Sequence, residues 1–420
     1  MAVNSYLSYF KKPVFTSALI CAIIFYSGAF FMPDKSEIFS LVETSSISGI
    51  SGKLLSSPAK SSNGSYYSAN FFLLSVSDKN DFSSSAKGRI KIYIPSELVE
   101  AYYPGKLYSQ SKGNGFLFET GGLYCFSGKL TDKGFFVKNC SSCVWENNLS
   151  GWLAKFRALC RLQFKRLMYG WGSGGGLLLA LLCGAREYTD PTTQDNFRRA
   201  GLSHILALSG MHLSMFSAIA MFFGNRAGVK KLTFVLRIFT LVAFVWFAGF
   251  SPSLTRAFIC ALLILVATIA GAKKPDMLSI LCFSFLLQSA LCPQDIHETA
   301  FILSYGALAG ILIFSGFFHR IYSKLFPRIA AASLSAATSA QTFTAPISLK
   351  LFGSFSPIGI VSATVVSPFV TIFIYSGLAL IILSLIFPIL SKPSGIFINL
   401  QYTVINYIVK IFSLVPNLHS

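Results

Sequence analysis

The stretch IGIVSATVVSPFVTIFIYSGLALIILSLIFPI, residues 358–389, decides the fold class because its 32 residues include no Asp, Glu, Lys or Arg. A helix needs about 20 apolar residues to cross a hydrocarbon core of roughly 30 Å, so this stretch can span a membrane. Of the 420 residues, 53% are hydrophobic and only 12% are charged. Similar runs lie at residues 14–32, 202–223, 232–250, 256–272, 277–291, 299–318, 333–352 and 396–416. The sequence therefore predicts a polytopic α-helical membrane protein with about nine spans.

Hydropathy drops over residues 33–150, which we interpret as a small all-β domain inserted after the first span. Short alternating segments separated by glycine-containing turns are typical of about five strands in a barrel or sandwich. These segments lie at residues 47–55, 70–76, 88–94, 123–130 and 135–139. The domains predicted from the sequence are an N-terminus with its anchor (1–32), the β domain (33–150), an amphipathic helix (151–171) and a multi-span domain (172–420).

Residues 151–171 have the spacing of a basic amphipathic helix that lies in the membrane interface. At 100° per residue, the apolar and basic side chains fall on opposite arcs. The apolar arc holds Trp152, Phe156, Leu159, Cys160 and Leu167, and the basic arc holds Lys155, Arg157, Arg161, Lys165 and Arg166. The next apolar run, residues 177–183, is too short to span and indicates a re-entrant or interfacial piece.

The distribution of charge predicts the topology. The net charge is +19, but residues 33–150 hold 12 basic and 10 acidic side chains, so nearly all of the surplus lies in or beside the membrane part. The short basic loops alternate with loops that carry few basic residues. Every basic loop is cytoplasmic if the first span enters from the cytoplasm. We therefore expect a multi-pass membrane protein with a cytoplasmic N-terminus and an exported β domain.

The stretch DNFRRAGLSHILALSGMHLSM, residues 195–215, resembles the core signature of the ComEC competence proteins. Three further stretches resemble the same family in order: GFSPSLTRAF (249–258), PQDIHETAFILSYGALAG (293–310) and AQTFTAPISLKLFGSFSPIGIVS (340–362). PGKLYSQ (104–110) and FSGKLTDKGFF (126–136) resemble the family's oligonucleotide-binding-type (OB-like) barrel. The resemblance implies a channel that imports single-stranded DNA into the cytoplasm during natural transformation.

Many members of that family continue into a metallo-β-lactamase-like domain with an HxHxDH metal cluster. This sequence has five histidines, none in that spacing, so we expect a short form that is not an enzyme and needs no metal or cofactor. It also has no GxxxxGK[ST] loop for ATP. We therefore expect a cytoplasmic ATPase, helicase or strand-binding protein as a partner, besides membrane lipid, a periplasmic or wall-side DNA receptor and possible homo-oligomer contacts.

Residues on the path of a polyanion should include cations and exclude carboxylates. No Asp or Glu occurs between Asn196 and Pro275, or after Glu298. The candidate path residues are Arg198, Arg199, His204, Ser209, Gly210, His212, Arg256, Gln341 and Lys350. In the β domain, the candidate DNA contacts are Lys87, Arg89, Lys91, Lys106, Lys129 and Lys133. An arginine at the end of a span can equally be an interfacial anchor whose head reaches the water.

The two histidines of the signature stretch allow alternative interpretations. His204 and His212 lie roughly 12 Å apart on one helix, too far to bind one metal ion unless the helix breaks at Ser209-Gly210. A hydrolase that uses Ser209 and His212 would lack a GxSxG elbow and an orienting acid. A secondary carrier for a small anion is the alternative function, but such carriers commonly show inverted repeats, and no internal symmetry is evident.

Overall fold

A computed structural model describes residues 12–26, 46–61, 64–78, 82–100, 118–272, 275–416 and 418–419. The chain folds into two compact units. The first unit comprises Met1–Phe31, Asp195–Ile372 and Ile405–Ser420 and is built from helices. The second comprises Met32–Gln194 and Phe373–Val404 and contains a β barrel with helices packed on it.

The barrel of the second unit is a ring of five strands. Its strands are β1 (Ile47–Leu54), β3 (Tyr66–Asp78), β4 (Ser83–Pro95), β5 (Leu123–Thr131) and β6 (Gly134–Val144), with the two-residue β2 (Ala59–Lys60) added to β3. The order is β1-β5-β6-β4-β3, and β1 also pairs with β3, which closes the ring. The β4–β6 pairing is parallel and the others in the ring are antiparallel. Each of the five predicted segments lies on one of these strands.

Alternation along the strands places the apolar side chains inside the barrel. Phe71, Tyr67 and Phe135 are fully buried there. Two glycines allow the strands to approach closely at register shifts, because a Cβ at Gly52 or Gly128 would lie 1.9 or 2.0 Å from the carbonyl oxygen of Phe72 or Phe136. No larger residue fits at either position without moving a strand.

The first helix, α1 (Pro13–Tyr26), belongs to the first unit, and the short α2 (Ser96–Val99) follows β4. Helix α3 (Leu149–Gly170) packs part of its basic side against the barrel domain. The apolar residues Trp152, Phe156 and Leu159 of α3 are exposed, at 60%, 48% and 49%. Arg161 and Lys165, by contrast, are buried in ion pairs with Glu119 and Glu187. Two of the basic residues that were predicted to face the membrane interface are therefore paired with carboxylates inside the protein.

Helix α4 (Gly172–Cys183) has 12 residues, which agrees with the prediction that this piece is too short to span. Its glycine-rich start allows close packing, because a Cβ at Gly175 would lie 1.9 Å from the carbonyl oxygen of Met168. Trp171, just before it, donates from Nε1 to Ser391 Oγ at 3.2 Å, and Asn399 donates to the Trp171 carbonyl at 2.6 Å. The short helix is thus fixed against the helix that begins at Ser391.

The remaining helices are α5 (Pro191–Arg199), α6 (Ser203–Leu206), α7 (Gly210–Arg226), α8 (Lys230–Ala248), α9 (Pro252–Ile269), α10 (Met277–Leu291), α11 (Thr299–Tyr322), α12 (Arg328–Phe352), α13 (Gly359–Ile386) and α14 (Ser391–Ser413). The short strands β7 (Ser354–Phe355) and β8 (Leu418–His419) pair with each other. Among the described residues, five helical segments are long and apolar enough to cross a membrane: Lys231–Ala248, Pro252–Ile269, Thr299–Tyr322, Gly359–Ile386 and Pro388–Ser413. The chain is thus a mostly helical membrane protein, and this count is smaller than the nine spans expected.

The predicted span at residues 202–223 is wrong. Residues 202–223 do not form a continuous helix, because Ala207 and Ser209 adopt extended backbone between α6 and α7. The predicted span at 256–272 begins earlier, at Pro252, because Ser251 is the N-cap of α9 and its Oγ accepts a hydrogen bond from the Leu254 amide. Proline is favoured in the first turn of a helix, where its missing N–H costs no hydrogen bond.

Candidate functional site: a carboxylate-free cavity in the first unit

A cavity of about 1440 Å³ opens among the helices of the first unit. Small side chains line it along one face of α12, at the three- and four-residue spacing of a helix. These residues are Ser333, Ala336, Ala337, Ala340, Gln341, Thr344 and Ser348. The start of α13 adds Gly359, Ala363, Thr364 and Ser367. No Asp or Glu occurs among the lining residues, so the cavity offers hydroxyl groups among mainly apolar side chains, without negative charge.

Three basic side chains border this cavity: Arg198, Arg199 and His204. Helix α5 ends with the two arginines in its last turn, where positive charge is favoured by the helix dipole. Both arginines also pair with Asp195, each at 2.7 Å, and remain 73% and 59% exposed. The hydrogen bond from Arg198 holds the pKa of Asp195 below its ordinary value. The acid-free stretch of sequence therefore begins directly after a carboxylate that offsets one of the two positive charges.

The turn after α5 is held against the start of α13. Ser356 Oγ donates to the Arg199 carbonyl at 2.9 Å, and Ser362 Oγ donates to the Ala200 carbonyl at 2.7 Å. Gly201, the next residue, has φ +74°, and a Cβ there would lie 2.8 Å from the Cα of Gly359. The positive φ and the close approach both require glycine at this position. This turn fixes the backbone that carries the two arginines at the cavity.

Gln341 lines the cavity and packs against the start of α13. Its Oε1 is buried and has no hydrogen-bond partner among the described residues. Its Nε2 lies close to Gly359, where an added Cβ would be only 2.6 Å away. A buried amide oxygen without a partner is costly, so the oxygen is available to water or to a ligand in the cavity.

Ser209, Gly210 and His212 have a structural role at the start of α7 and do not line the cavity. The Ser209 backbone N–H donates to His212 Nδ1 at 3.2 Å, so the histidine ring closes a capping interaction. His212 is fully buried, and its Nε2 has no partner in the described part of the chain. The Ser209 Oγ lies 3.3 Å from the same Nδ1, so both contacts of this nitrogen belong to the cap of α7.

Arg256 and Lys350 also lie outside the lining of the cavity. Arg256 is half-buried on α9 and donates from Nη1 to the Ser304 carbonyl at 2.5 Å. Its Nε is buried without a partner among the described residues, and an added Cβ at Gly210 would lie 3.5 Å from its Nη2. Lys350 is exposed in the last turn of α12. Of the nine path candidates, the structure therefore brings Arg198, Arg199, His204 and Gln341 together at one cavity.

Most of the barrel residues that were predicted to contact DNA lie on its outer face. Lys87, Lys91, Lys129 and Lys133 are exposed, Arg89 is half-buried, and Lys106 lies outside the described residues. The six strands of the barrel contain one carboxylate, Asp78 at the end of β3. A group of rings on the outer face, Tyr66, Tyr93 and Phe136, was not predicted from the sequence. Their alternation with buried residues along the strands was a signal that could have found them.

Comparison with known proteins identifies the family. The competence protein family matches residues 181–420, more than half of the chain. This chain belongs to the competence protein family. It is 26% identical over 204 residues to ComE operon protein 3 of Bacillus subtilis (strain 168), a match that covers 48% of this chain and 25% of that relative. No solved structure is similar enough to match.

Membership of the competence protein family indicates a role in DNA uptake for competence. Every residue that lines the cavity lies within the matched range, as do all nine path candidates. The barrel lies before that range. The helical site is thus the part of the chain that family membership describes.

Proposed function

We propose that this protein is an inner-membrane channel that imports single-stranded DNA into the cytoplasm during natural transformation, with the cavity as part of the path. The observation that carries the proposal is a cavity that two arginines border and that hydroxyl-bearing and apolar side chains line, with no carboxylate among the lining residues. At about 1440 Å³, the cavity is larger than the roughly 300–1,000 Å³ of pockets that enclose a drug-sized ligand. A strand of DNA needs such room because base, sugar and phosphate must all pass.

The chemistry of the lining suits a polyanion that must keep moving. Guanidinium groups hold phosphate by paired hydrogen bonds, and Arg198 and Arg199 can do so at the border of the cavity. Serine and threonine hydroxyls along α12 and α13 replace part of the hydration of the strand without trapping it. Conduction requires sites that bind well enough to admit the ion and weakly enough to release it, a requirement that applies to a strand as well.

The barrel supports a second contact with DNA in this proposal. A closed five-stranded ring with one parallel pairing, between its third and fifth strands, agrees with an oligonucleotide-binding fold, whose sheet face binds single strands. We place this domain on the exported side, where it meets DNA delivered by a periplasmic or wall-side receptor. A cytoplasmic ATPase, helicase or strand-binding protein supplies the net direction.

A matched pair of alanines on α12 tests the cavity. Ala337 lines it, whereas Ala332 is exposed on another side of the same helix. In a deletion strain complemented with each variant, Ala337→Trp should reduce cytoplasmic, nuclease-protected labelled DNA by at least tenfold, because the indole fills the path. Ala332→Trp should leave import unchanged. Membrane levels of both variants are measured, and normal import by Ala337→Trp at the parent level would show that the strand does not pass here.

A further inference from the structure

Three aromatic rings form a row on the outer face of the barrel. Tyr93 of β4 stacks on Phe136 of β6, with ring centres 4.6 Å apart and planes 15° from parallel. Tyr66 of β3 meets Phe136 edge-on at 5.7 Å and is 39% exposed. The strands are adjacent, and Tyr93 is in register with Phe136. We refer to Tyr66, Tyr93 and Phe136 as the aromatic platform.

Lysines flank this platform on both sides. Lys91 precedes Tyr93 by two residues on the same face, and its Nζ lies 5.5 Å from the centre of the Tyr93 ring. Lys129 of β5 is the register partner of Phe136 and is exposed. The nearest strand segments supply no carboxylate, since the one acid of the strands, Asp78, lies at the far end of β3 from Tyr66. One exposed ring and two half-buried rings between cations form a surface for an aromatic anion.

We propose that the aromatic platform stacks the bases of single-stranded DNA, while Lys91 and Lys129 hold the neighbouring phosphates. The inference rests on the proposed function and adds the groups that the lysines alone do not provide. A ring offers a base the same flat apolar contact that a neighbouring base does, and it accepts any sequence. Bases in a duplex already stack on each other, so the platform selects a single strand over a double one.

A purely structural cluster is the competing explanation, because aromatic pairs across strands also stabilise a sheet. Leucine substitutions distinguish a structural role of these rings from a role in stacking bases. Tyr93→Leu and Phe136→Leu keep apolar volume on the sheet but remove the flat surface. A structural cluster would tolerate the change without any effect on DNA, whereas a stacking site would lose its contact with bases.

The test uses the full chain in lipid nanodiscs and an oligothymidylate that contains one 5-iodouracil, which cross-links to aromatic side chains under ultraviolet light. We expect cross-links on the peptides that contain Tyr93 or Phe136, competition by unlabelled single strand and none by duplex. Tyr93→Leu or Phe136→Leu should lower the yield on the remaining platform peptide roughly tenfold, the loss expected when one stacked base is released. Phe82→Leu is the control, since Phe82 is 63% exposed at the opposite end of the β3–β4 hairpin.

The proposal that the platform stacks bases would be wrong if the cross-links fall elsewhere or if duplex competes equally well. It would also be wrong if the leucine variants cross-link like the parent. The cavity test separates this result from the proposed function. If Ala337→Trp blocks import while the cross-links avoid the platform, the channel stands and the stacking site is wrong. If the platform cross-links but Ala337→Trp imports normally, the stacking site stands and the cavity is not the path.

Discussion

The charge cluster between the barrel and α3 is the place where one substitution should have the largest effect on stability. Glu119 pairs with Arg161 at 2.9 Å and with Lys165 at 2.5 Å, and Lys165 also pairs with Glu187 at 2.6 Å. These four side chains are between 1% and 6% exposed. Tyr169 adds a hydrogen bond to Glu187 at 3.3 Å. Two anions thus balance two cations in an interior that excludes water.

Glu119→Gln removes one of the two negative charges and keeps the shape of the side chain. Arg161 and Lys165 are then left with Glu187 alone, in a site where neither cation can recover hydration. Removing one partner of a buried ion pair costs about 3–5 kcal/mol, so we expect the free energy of unfolding to fall by that amount. The reason is the uncompensated charge rather than the lost hydrogen bond.

Acid should have the same effect on the parent protein. Burial alone would raise the pKa of Glu119, but Lys165 and Arg161 outweigh it and hold that pKa below its ordinary value. A carboxyl whose folded pKa is depressed stabilises the fold above its unfolded pKa, near 4.3 for glutamate, and the stabilisation is lost as the pH falls towards the folded value. Stability of the parent should therefore drop below about pH 4.3, and Glu119→Gln should flatten that part of the profile.

The measurement is urea unfolding of the full chain in mild detergent, followed by tryptophan fluorescence at several pH values. Glu146→Gln is the matched control, because the Lys53–Glu146 pair lies in the same unit but is about one-third exposed, and it should change little. Glu119→Gln combined with Lys165→Gln restores the charge balance and should recover part of the loss. If Glu119→Gln unfolds at the same urea concentration as Glu146→Gln, the cluster does not hold the barrel and α3 together.

Three further outcomes are expected. Arg256→Glu should abolish cytoplasmic import, Arg256→Ala should reduce it and Arg256→Lys should retain part, because Arg256 lies outside the lining of the cavity and donates to the Ser304 carbonyl, a bond that glutamate and alanine cannot make. Parent-like transformation by the first two variants, at normal membrane levels, would show that import does not need this bond. Purified protein should leave labelled DNA intact with Mg²⁺ or Mn²⁺, and metal-dependent degradation that disappears in His204→Ala or His212→Ala would overturn that expectation. Asp195→Asn releases both arginines of α5 from their carboxylate and should import at least as much DNA as the parent, so a marked loss would show that the ion pairs position the arginines.

The sequence predicted the strands well because alternation is a local signal. The segment at residues 88–94 lies wholly within β4, and its buried residues Ile90, Ile92 and Ile94 follow the period of two. The break in the span at 202–223 was only an option in the sequence, at Ser209-Gly210, because hydropathy is continuous through LALSG. It depends on a contact between the Ser209 amide and the His212 ring that forms only when the chain turns.

The cavity was only partly accessible to sequence reasoning. Charged residues in apolar runs draw attention, and Arg198 and Arg199 do border the cavity. Lys350 had the same appearance in the sequence, but it is exposed at the end of α12 and does not line the cavity. The residues that α12 contributes to the walls are mostly alanine, serine and threonine, which look unremarkable one by one. Their shared face on α12 becomes visible only when positions three and four apart are compared.

The placement of carboxylates decides where this chain carries uncompensated positive charge. Several acids outside the cavity are matched with cations: Glu119 and Glu187 with Arg161 and Lys165, Glu146 with Lys53, Glu100 with Lys60, and Asp276 with Lys12. Positive charge in those places is cancelled and cannot attract DNA. At the border of the cavity, Asp195 faces two arginines, which leaves one positive charge in excess. The formal charge of +19 is thus a poor guide by itself, because its effect on a polyanion depends on where cations outnumber the acids beside them.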